Sequence, residues 1–271
     1  MGAGVIDKGK RNILGILMSA VDYEAAVEFV VRAARERRGA AISALAVHGL
    51  MTGVSDGEQK YRLNHFDLLV PDGHPVRWAL NGLYRTGLPD RVYGPNLTLK
   101  VCRRAEAEKL PVYFYGSTPL VLEGVRRFLH ERFPGLVIAG LEPSRFRRLK
   151  PAEKAEVVAR IRDSGAAMVF AGLGCPRQEV WAYEFRDALS MPILAVGAAF
   201  PFFAGEVPQA PKWMQDRGLE WLFRLVAEPR RLWRRYILLN PAYVALLVLQ
   251  ALRLSRFSTD GTLPTAELLY G

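Results

Sequence analysis

Two stretches of the chain carry the residue types and spacing that chemistry needs. The first is Asp67-Leu68-Leu69-Val70-Pro71-Asp72-Gly73-His74-Pro75-Val76-Arg77-Trp78, an apolar run broken by Pro71 and Gly73, with Pro75 suited to the first turn of a helix. It reads as a buried strand, a turn and a helix. Asp72 then sits at the carboxyl end of a strand, where open α/β sheets bind ligands. A carboxylate held there can take the proton of a substrate hydroxyl, or it can cap the helix that follows. The second stretch is Phe170-Ala171-Gly172-Leu173-Gly174-Cys175-Pro176-Arg177-Gln178-Glu179-Val180-Trp181. Gly172 and Gly174 at a strand end let backbone amides approach a ligand, and Pro176 opens a helix whose N-terminus attracts anions, an environment that suits a diphosphate. It is not the dinucleotide fingerprint, because Arg177 stands where that pattern needs its third glycine. Gln178 and Glu179 are candidates for holding a base or a sugar, or are ordinary first-turn helix residues.

Smaller signals surround these two. Arg91, ahead of Tyr93-Gly94 and Asn96, can meet a phosphate with a bidentate fork or lie solvated at the surface. Gly116-Ser117-Thr118 can cradle phosphate or simply cap a helix. His48 and His74 both fall at strand ends and are candidates for lining the same cleft. The four histidines show no metal-ligand spacing, no Asp-x-Asp pair follows a strand, and no metal or other cofactor is expected. Cys175 occupies an electropositive turn but has no histidine placed to serve it, so it reads as structural.

The elements that would position these residues alternate regularly. Strand-like runs fall at 12–18, 40–47, 68–70, 111–116, 135–140, 167–173 and 192–198, and helical periodicity fills 23–37, 97–109, 120–133, 151–164 and the stretch up to Leu189. That alternation predicts an α/β fold, a Rossmann-like parallel sheet flanked by helices. Two cysteines far apart in 271 residues suit a reducing compartment. No apolar run approaches the ~20 residues needed to span a bilayer, and the first residues lack the apolar region of a signal peptide. The character changes after Phe203. Residues 1–203 read as the α/β core, and residues 204–271 as a small helical appendage in which aromatic and basic residues interleave. Between Pro229 and Arg256 there are six arginines and no acid. The net charge of +10 calls for a polyanionic partner. No helix-turn-helix or RNA-binding signature accompanies it, so nucleic acid is not expected. The appendage either completes the core or lies on an anionic bilayer with its aromatic rings at the headgroups.

With these residues in hand, the chain resembles the WecG/TagA/CpsF family of bacterial glycosyltransferases, glycosyltransferase family 26, over about residues 13–243. The likeness is carried by Pro71-Asp72-Gly73 with Pro75-Val76, by Arg91-Val92-Tyr93-Gly94, by Phe114-Tyr115-Gly116, and by the run from Gly172 to Glu179. It continues through Ala210-Pro211-Lys212-Trp213, Gly218-Leu219-Glu220-Trp221-Leu222-Phe223-Arg224-Leu225 and Glu228-Pro229-Arg230-Arg231. The resemblance implies an inverting, metal-independent transfer of a sugar from a UDP-sugar to a polyprenyl-diphosphate-linked saccharide. The setting would be the cytoplasmic membrane face, in exopolysaccharide, capsule or cell-wall polymer assembly. It makes Asp72 the general base. It assigns His48, Gly73, Arg91, Asn96, Gly116, Ser117, Gly172, Gly174, Pro176, Gln178 and Glu179 to substrate, and Trp213, Arg224, Arg230, Arg231 and Arg234 to acceptor or membrane. The family often has Thr and Asn where this chain has Ala44 and Ala46, and Asp where Asn96 stands. The alternative from another class is a non-catalytic protein that binds a nucleotide sugar or an anionic lipid. The sugar, the acceptor and any pairing of protomers are left open.

Overall fold

The computed structural model describes residues 4–271, except for the side chains of Lys212, Asp216, Arg231, Arg234 and Arg235. The chain opens with a hairpin, β1 (Asp7–Ile13) and β2 (Ile16–Val21), followed by α1 (Tyr23–Arg35), β3 (Ala40–Leu45), α2 (Val47–Ser55) and α3 (Gly57–Asn64). Then come β4 (Leu68–Pro71), α4 (His74–Tyr84), α5 (Gly94–Ala107), β5 (Val112–Gly116), α6 (Pro119–Arg132) and β6 (Ile138–Glu142). The core closes with α7 (Pro151–Asp163), β7 (Met168–Gly172), α8 (Arg177–Leu189), β8 (Pro192–Ala195) and α9 (Ala199–Phe203). After Phe203 come α10 (Lys212–Asp216), α11 (Glu220–Ala227), α12 (Pro229–Arg234), a π-helical turn (Arg235–Leu239) and α13 (Asn240–Ala251), in the segment read from sequence as an appendage.

Six strands form one parallel sheet in the order β4-β3-β8-β7-β5-β6. Helices cover both faces, which explains why its strands read as nearly unbroken apolar runs. Alternate residues serve opposite faces. Tyr113, Tyr115, Val169, Ala171, Ile193 and Ala195 pack with Trp181, Phe185 and the hairpin. Their neighbours Val112, Phe114, Met168, Phe170 and Leu194 pack with Val30, Val101, Val125 and Phe200.

Three elements depart from the sequence reading. The expected opening strand over residues 12–18 is a hairpin instead, antiparallel and outside the main sheet. Ile13 pairs with Ile16 across a two-residue turn in which Leu14 and Gly15 have φ of 54° and 89°. This is the backbone that a tight hairpin demands, and Gly15 supplies it without strain. The second difference is the pair of short helices α2 and α3, which follow β3 directly and end its strand at Leu45 rather than Val47. Finally, the segment after Phe203 is helical only as far as Ala251. Residues 252–271 run as an irregular strap against the core, without helix or strand.

Gly116 ends β5 and pairs with Gly172 at the end of β7. Its φ is +112°, and a Cβ there would lie 2.8 Å from the carbonyl carbon of Gly172. Gly116→Ala therefore combines backbone strain with a clash against backbone, and should cost roughly 2–4 kcal/mol. Urea denaturation is expected to give a lower midpoint with an unchanged slope. An unchanged midpoint accompanied by weaker substrate binding would show instead that this glycine serves a ligand.

Candidate active site

Two cavities open at the carboxyl ends of the strands. The strand-end cavity is lined by the end of β3, the loop after β7, the first turn of α8 and the loop after β8, including Ala44, Ala46, Gly174, Cys175, Gln178, Glu179 and Gly197. The appendage cavity is roofed by α11 and α13 and lined by Val47, His48, Gly73, His74, Arg91, Tyr93, Glu220, Trp221, Tyr236 and Asn240, among others. Ala46, Asp72 and Arg224 line both. Asp72 is therefore on the partition between two compartments.

Local structure explains its placement. Pro71 ends β4, and the backbone of Asp72 bonds to Leu45 of the neighbouring strand at 3.3 Å. The N-cap of α4 is Gly73, with no side chain on the helix amides. Asp72 thus does not cap the helix that follows it. Its Oδ1 accepts instead from the amide of Gly94, the first residue of α5, at 2.9 Å. Gly94 approaches closely enough that a Cβ would sit 3.3 Å from that of Ala44.

Burial raises the Asp72 pKa from its ordinary value to about 7, offset in part by Arg91 and the Gly94 amide. The Glu220 carboxylate adds to the rise, and the Arg224 guanidinium opposes it. A carboxyl poised there exchanges protons readily at neutral pH.

Arg91 is the second organising residue. Its guanidinium is buried, lies 4.5 Å from the centroid of the Tyr93 ring, and forms an ion pair with Glu220 of α11. The side chains of Arg91 and Glu220 are only 9% and 14% exposed, so this pair is held away from the screening that weakens surface ion pairs. Further contacts seat the appendage. His74 Nε2 lies 3.0 Å from the carbonyl of Gln215, and burial lowers its pKa, as does Arg91. The Tyr243 hydroxyl donates to the carbonyl of Pro75 at 3.2 Å, with the residue buried.

In the strand-end cavity, Gln178 Nε2 donates to Glu179 Oε1 at 2.9 Å, and Ser43 Oγ donates to the same oxygen at 3.0 Å. The Gln178 carbonyl oxygen in turn accepts from the Gly197 amide at 3.0 Å. Burial raises the Glu179 pKa against the lowering effect of Gln178 and Ser43. Its other oxygen, Oε2, is buried without a hydrogen-bond partner. A buried polar atom left so is costly, and a polar ligand in this cavity could satisfy it.

The structure distributes the remaining sequence candidates unevenly. His48, Gly73, Arg91, Gly174, Gln178, Glu179 and Arg224 all line one cavity or both, as does His74. Gly116, Ser117, Gly172 and Pro176 do not. Gly116 and Gly172 are spent on close packing, and Thr118, not Ser117, caps α6 by accepting from Val121. Pro176 is the N-cap of α8, one position earlier than its sequence suggested. Asn96 is exposed on the first turn of α5. Trp213 is 54% exposed beneath the Arg217 guanidinium, and Arg230 is exposed on α12. The side chains of Arg231 and Arg234 lie outside the described residues. Among the described residues, no three His, Cys, Asp or Glu side chains gather in a metal-binding group.

Glu220, Gly197, Tyr236 and Asn240 line the cavities although the sequence reading assigned them no site role. Glu220 was open to detection, because it precedes Arg224 by one helical turn and so shares its face. The other three are brought in by tertiary contacts alone.

A parallel sheet with helices on both faces and cavities at its carboxyl edge defines a Rossmann-like fold. The class here is the glycosyltransferases. Residues 11–257 match the sequence model of the glycosyl transferase WecG/TagA/CpsF family, and the chain belongs to that family.

Proposed function

We propose that the protein transfers a sugar from UDP to a polyprenyl-diphosphate-linked saccharide by a single inverting displacement. The donor occupies the strand-end cavity and the acceptor the appendage cavity. The observation that carries this reading is Asp72 on the partition between the two, with a pKa raised to about 7. Asp72 takes the proton from the acceptor hydroxyl as its oxygen attacks the anomeric carbon. The bond from that carbon to the diphosphate oxygen breaks, and its electron pair leaves with UDP. Arg224, which reaches both cavities, and the positive end of α8 oppose the charge that develops on the leaving group. Gln178 and Glu179 hold the donor, with Glu179 Oε2 pairing with a sugar or ribose hydroxyl. Arg91 serves the acceptor diphosphate.

The reaction is set at an anionic membrane surface, in the assembly of an exopolysaccharide, capsule or wall polymer. Two features of the appendage support this setting. Val226, Ile237, Leu238, Val244, Val248 and Leu252 are each at least half exposed, and they share their segment with a run of arginines. Among the described residues no helix is long and apolar enough to cross a membrane. An amphipathic segment of this kind lies in the headgroup region.

The test is a vesicle assay with a synthetic polyprenyl-diphosphate monosaccharide, anionic lipid, a panel of UDP-sugars and EDTA. One donor is expected to release UDP in step with lipid-linked product, and the protein to float with the vesicles. Removing residues 204–271 should abolish flotation. Flotation that survives this removal would sink the membrane role. Failure of every donor on a panel of competent acceptors would sink the assigned reaction.

A further inference from the structure

Residues 258–271 lie beyond the stretch that matches the family, and they are tied to the core near both ends. The Asn64 side-chain amide donates to the carbonyl of Thr259 at 2.7 Å, and the amide of Thr262 donates to the carbonyl of Gly57 at 2.9 Å. The fit at Gly261 is close, since a Cβ there would lie 2.4 Å from the Tyr61 nitrogen. Farther on, both oxygens of Glu184 accept from the strap, from the amides of Leu268 at 2.7 Å and Leu269 at 2.9 Å. The strap then pairs with the segment before α7. Leu149 N donates to Leu269 O at 2.7 Å, and Ser144 Oγ donates to Gly271 O, also at 2.7 Å.

Glu184 is on α8, the helix whose first turn presents Gln178 and Glu179 to the strand-end cavity. The strap ends at that turn. The Tyr270 ring lies 5.9 Å from the guanidinium carbon of Arg177, the first residue of α8, and 5.9 Å from that of Arg148. Tyr270, Arg177 and Leu173 line a third cavity. The loop from Leu173 to Arg177 is therefore a thin wall, with the strand-end cavity inside and the strap outside. Gly174 turns this wall with φ +78°, and its carbonyl accepts from the amide of Gln178 at 3.0 Å, which joins the wall to the first turn of α8.

We propose that the strap, through Tyr270 on Arg177 and its two bonds to Glu184, is a positioning element for the wall that presents Gln178 and Glu179. Tyr270 is the positioning residue, and it acts through the face of its ring. The consequence for donor affinity rests on the reading of the strand-end cavity as the donor site. The consequence for the stiffness of the wall does not.

The experiment compares full-length wild type, Tyr270→Ala, Tyr270→Leu and Tyr270→Phe by hydrogen exchange, followed by titration with UDP alone. In the Ala and Leu variants, peptides over residues 172–181 are expected to exchange at least ~10-fold faster, while peptides from β3 and β4 keep wild-type rates. Tyr270→Phe keeps the ring and should match wild type. UDP affinity should fall about 5-fold in the Ala and Leu variants and recover in Phe. Wild-type exchange over 172–181 in Tyr270→Ala, or equal acceleration in every peptide, would overturn the proposal. So would faster exchange in 172–181 with unchanged UDP affinity, since the strap would then not position the site. If the wall loosens as expected but wild type does not bind UDP, the donor assignment fails and the positioning role stands.

Discussion

Asp72→Asn is expected to lower kcat by about 10²-fold or more while leaving donor affinity within about threefold of wild type. The substitution keeps the shape of the side chain and an oxygen that can accept from the Gly94 amide. What it removes is the capacity to take a proton. Acceptor-dependent UDP release measures kcat, and titration with UDP measures donor binding. A variant that keeps more than about a third of the wild-type rate would exclude Asp72 as the base.

The pH profile gives an independent check. With the Asp72 pKa raised to about 7, log kcat/KM should climb with unit slope below that pH and level off above it. The effect on stability has the opposite direction. A carboxyl whose folded-state pKa exceeds its unfolded value binds its proton more tightly in the native state. It therefore stabilises the fold below the ordinary carboxylate range, and this contribution is lost as pH rises to about 7. Asp72→Asn removes that loss, so at pH 8 its Tm should equal or exceed that of wild type. A stabilised but inactive variant is the signature of a group held for chemistry at the expense of the fold.

The second large effect is expected at the Arg91–Glu220 pair. Arg91→Ala leaves the Glu220 carboxylate in place near Asp72 with its partner gone. It should lower kcat/KM by roughly 10²-fold, because a broken buried pair leaves an uncompensated charge and α11 loses a contact that seats it over the site. It should also move the rising limb of the pH profile to higher pH. Arg91 lowers the Asp72 pKa, and with that influence gone only the opposing effect of Glu220 and burial remain alongside Arg224 and the Gly94 amide. Glu220→Gln should move the limb the other way. It removes a carboxylate that raises the Asp72 pKa and leaves Arg91 fully charged. Opposite displacements in the two variants would establish that the appendage tunes the base electrostatically. Displacements of the same sign, or none, would reduce the pair to a structural latch.

These expectations draw on both the sequence and the fold, in different proportions. The doubly buried strands β3, β4, β5, β7 and β8 were visible as apolar runs because helices on both faces leave no polar alternation to confuse them. Asp72, Gln178 and Glu179 were visible because a strand-to-helix junction is a local event, set by Pro71, Gly73 and Pro176 within a few residues. The hairpin was missed because Ile13 and Ile16 continue one apolar run, and only the φ of Leu14 and Gly15 divides it. The strap was missed because a segment with neither helix nor strand has no period of its own. It is ordered by bonds to Asn64, Glu184 and Leu149, residues far from it in the chain.

Local sequence is enough to specify a parallel α/β sheet, a carboxylate at one strand end, a glycine-rich turn at another, and a basic, aromatic segment after them. Each is decided over fewer than about 20 residues, by periodicity, turn chemistry and composition. Tertiary structure alone decided that Asp72 accepts from α5 rather than capping α4, that Glu220 returns to pair with Arg91, and that two cavities share one wall. Those contacts join residues separated by 22 positions in the first case and by well over a hundred in the second. The physical reason is that burial and charge at a site are sums over every element packed there. A pKa near 7 at Asp72 exists only once the folded chain has removed water and brought Arg91, Glu220 and Arg224 around it.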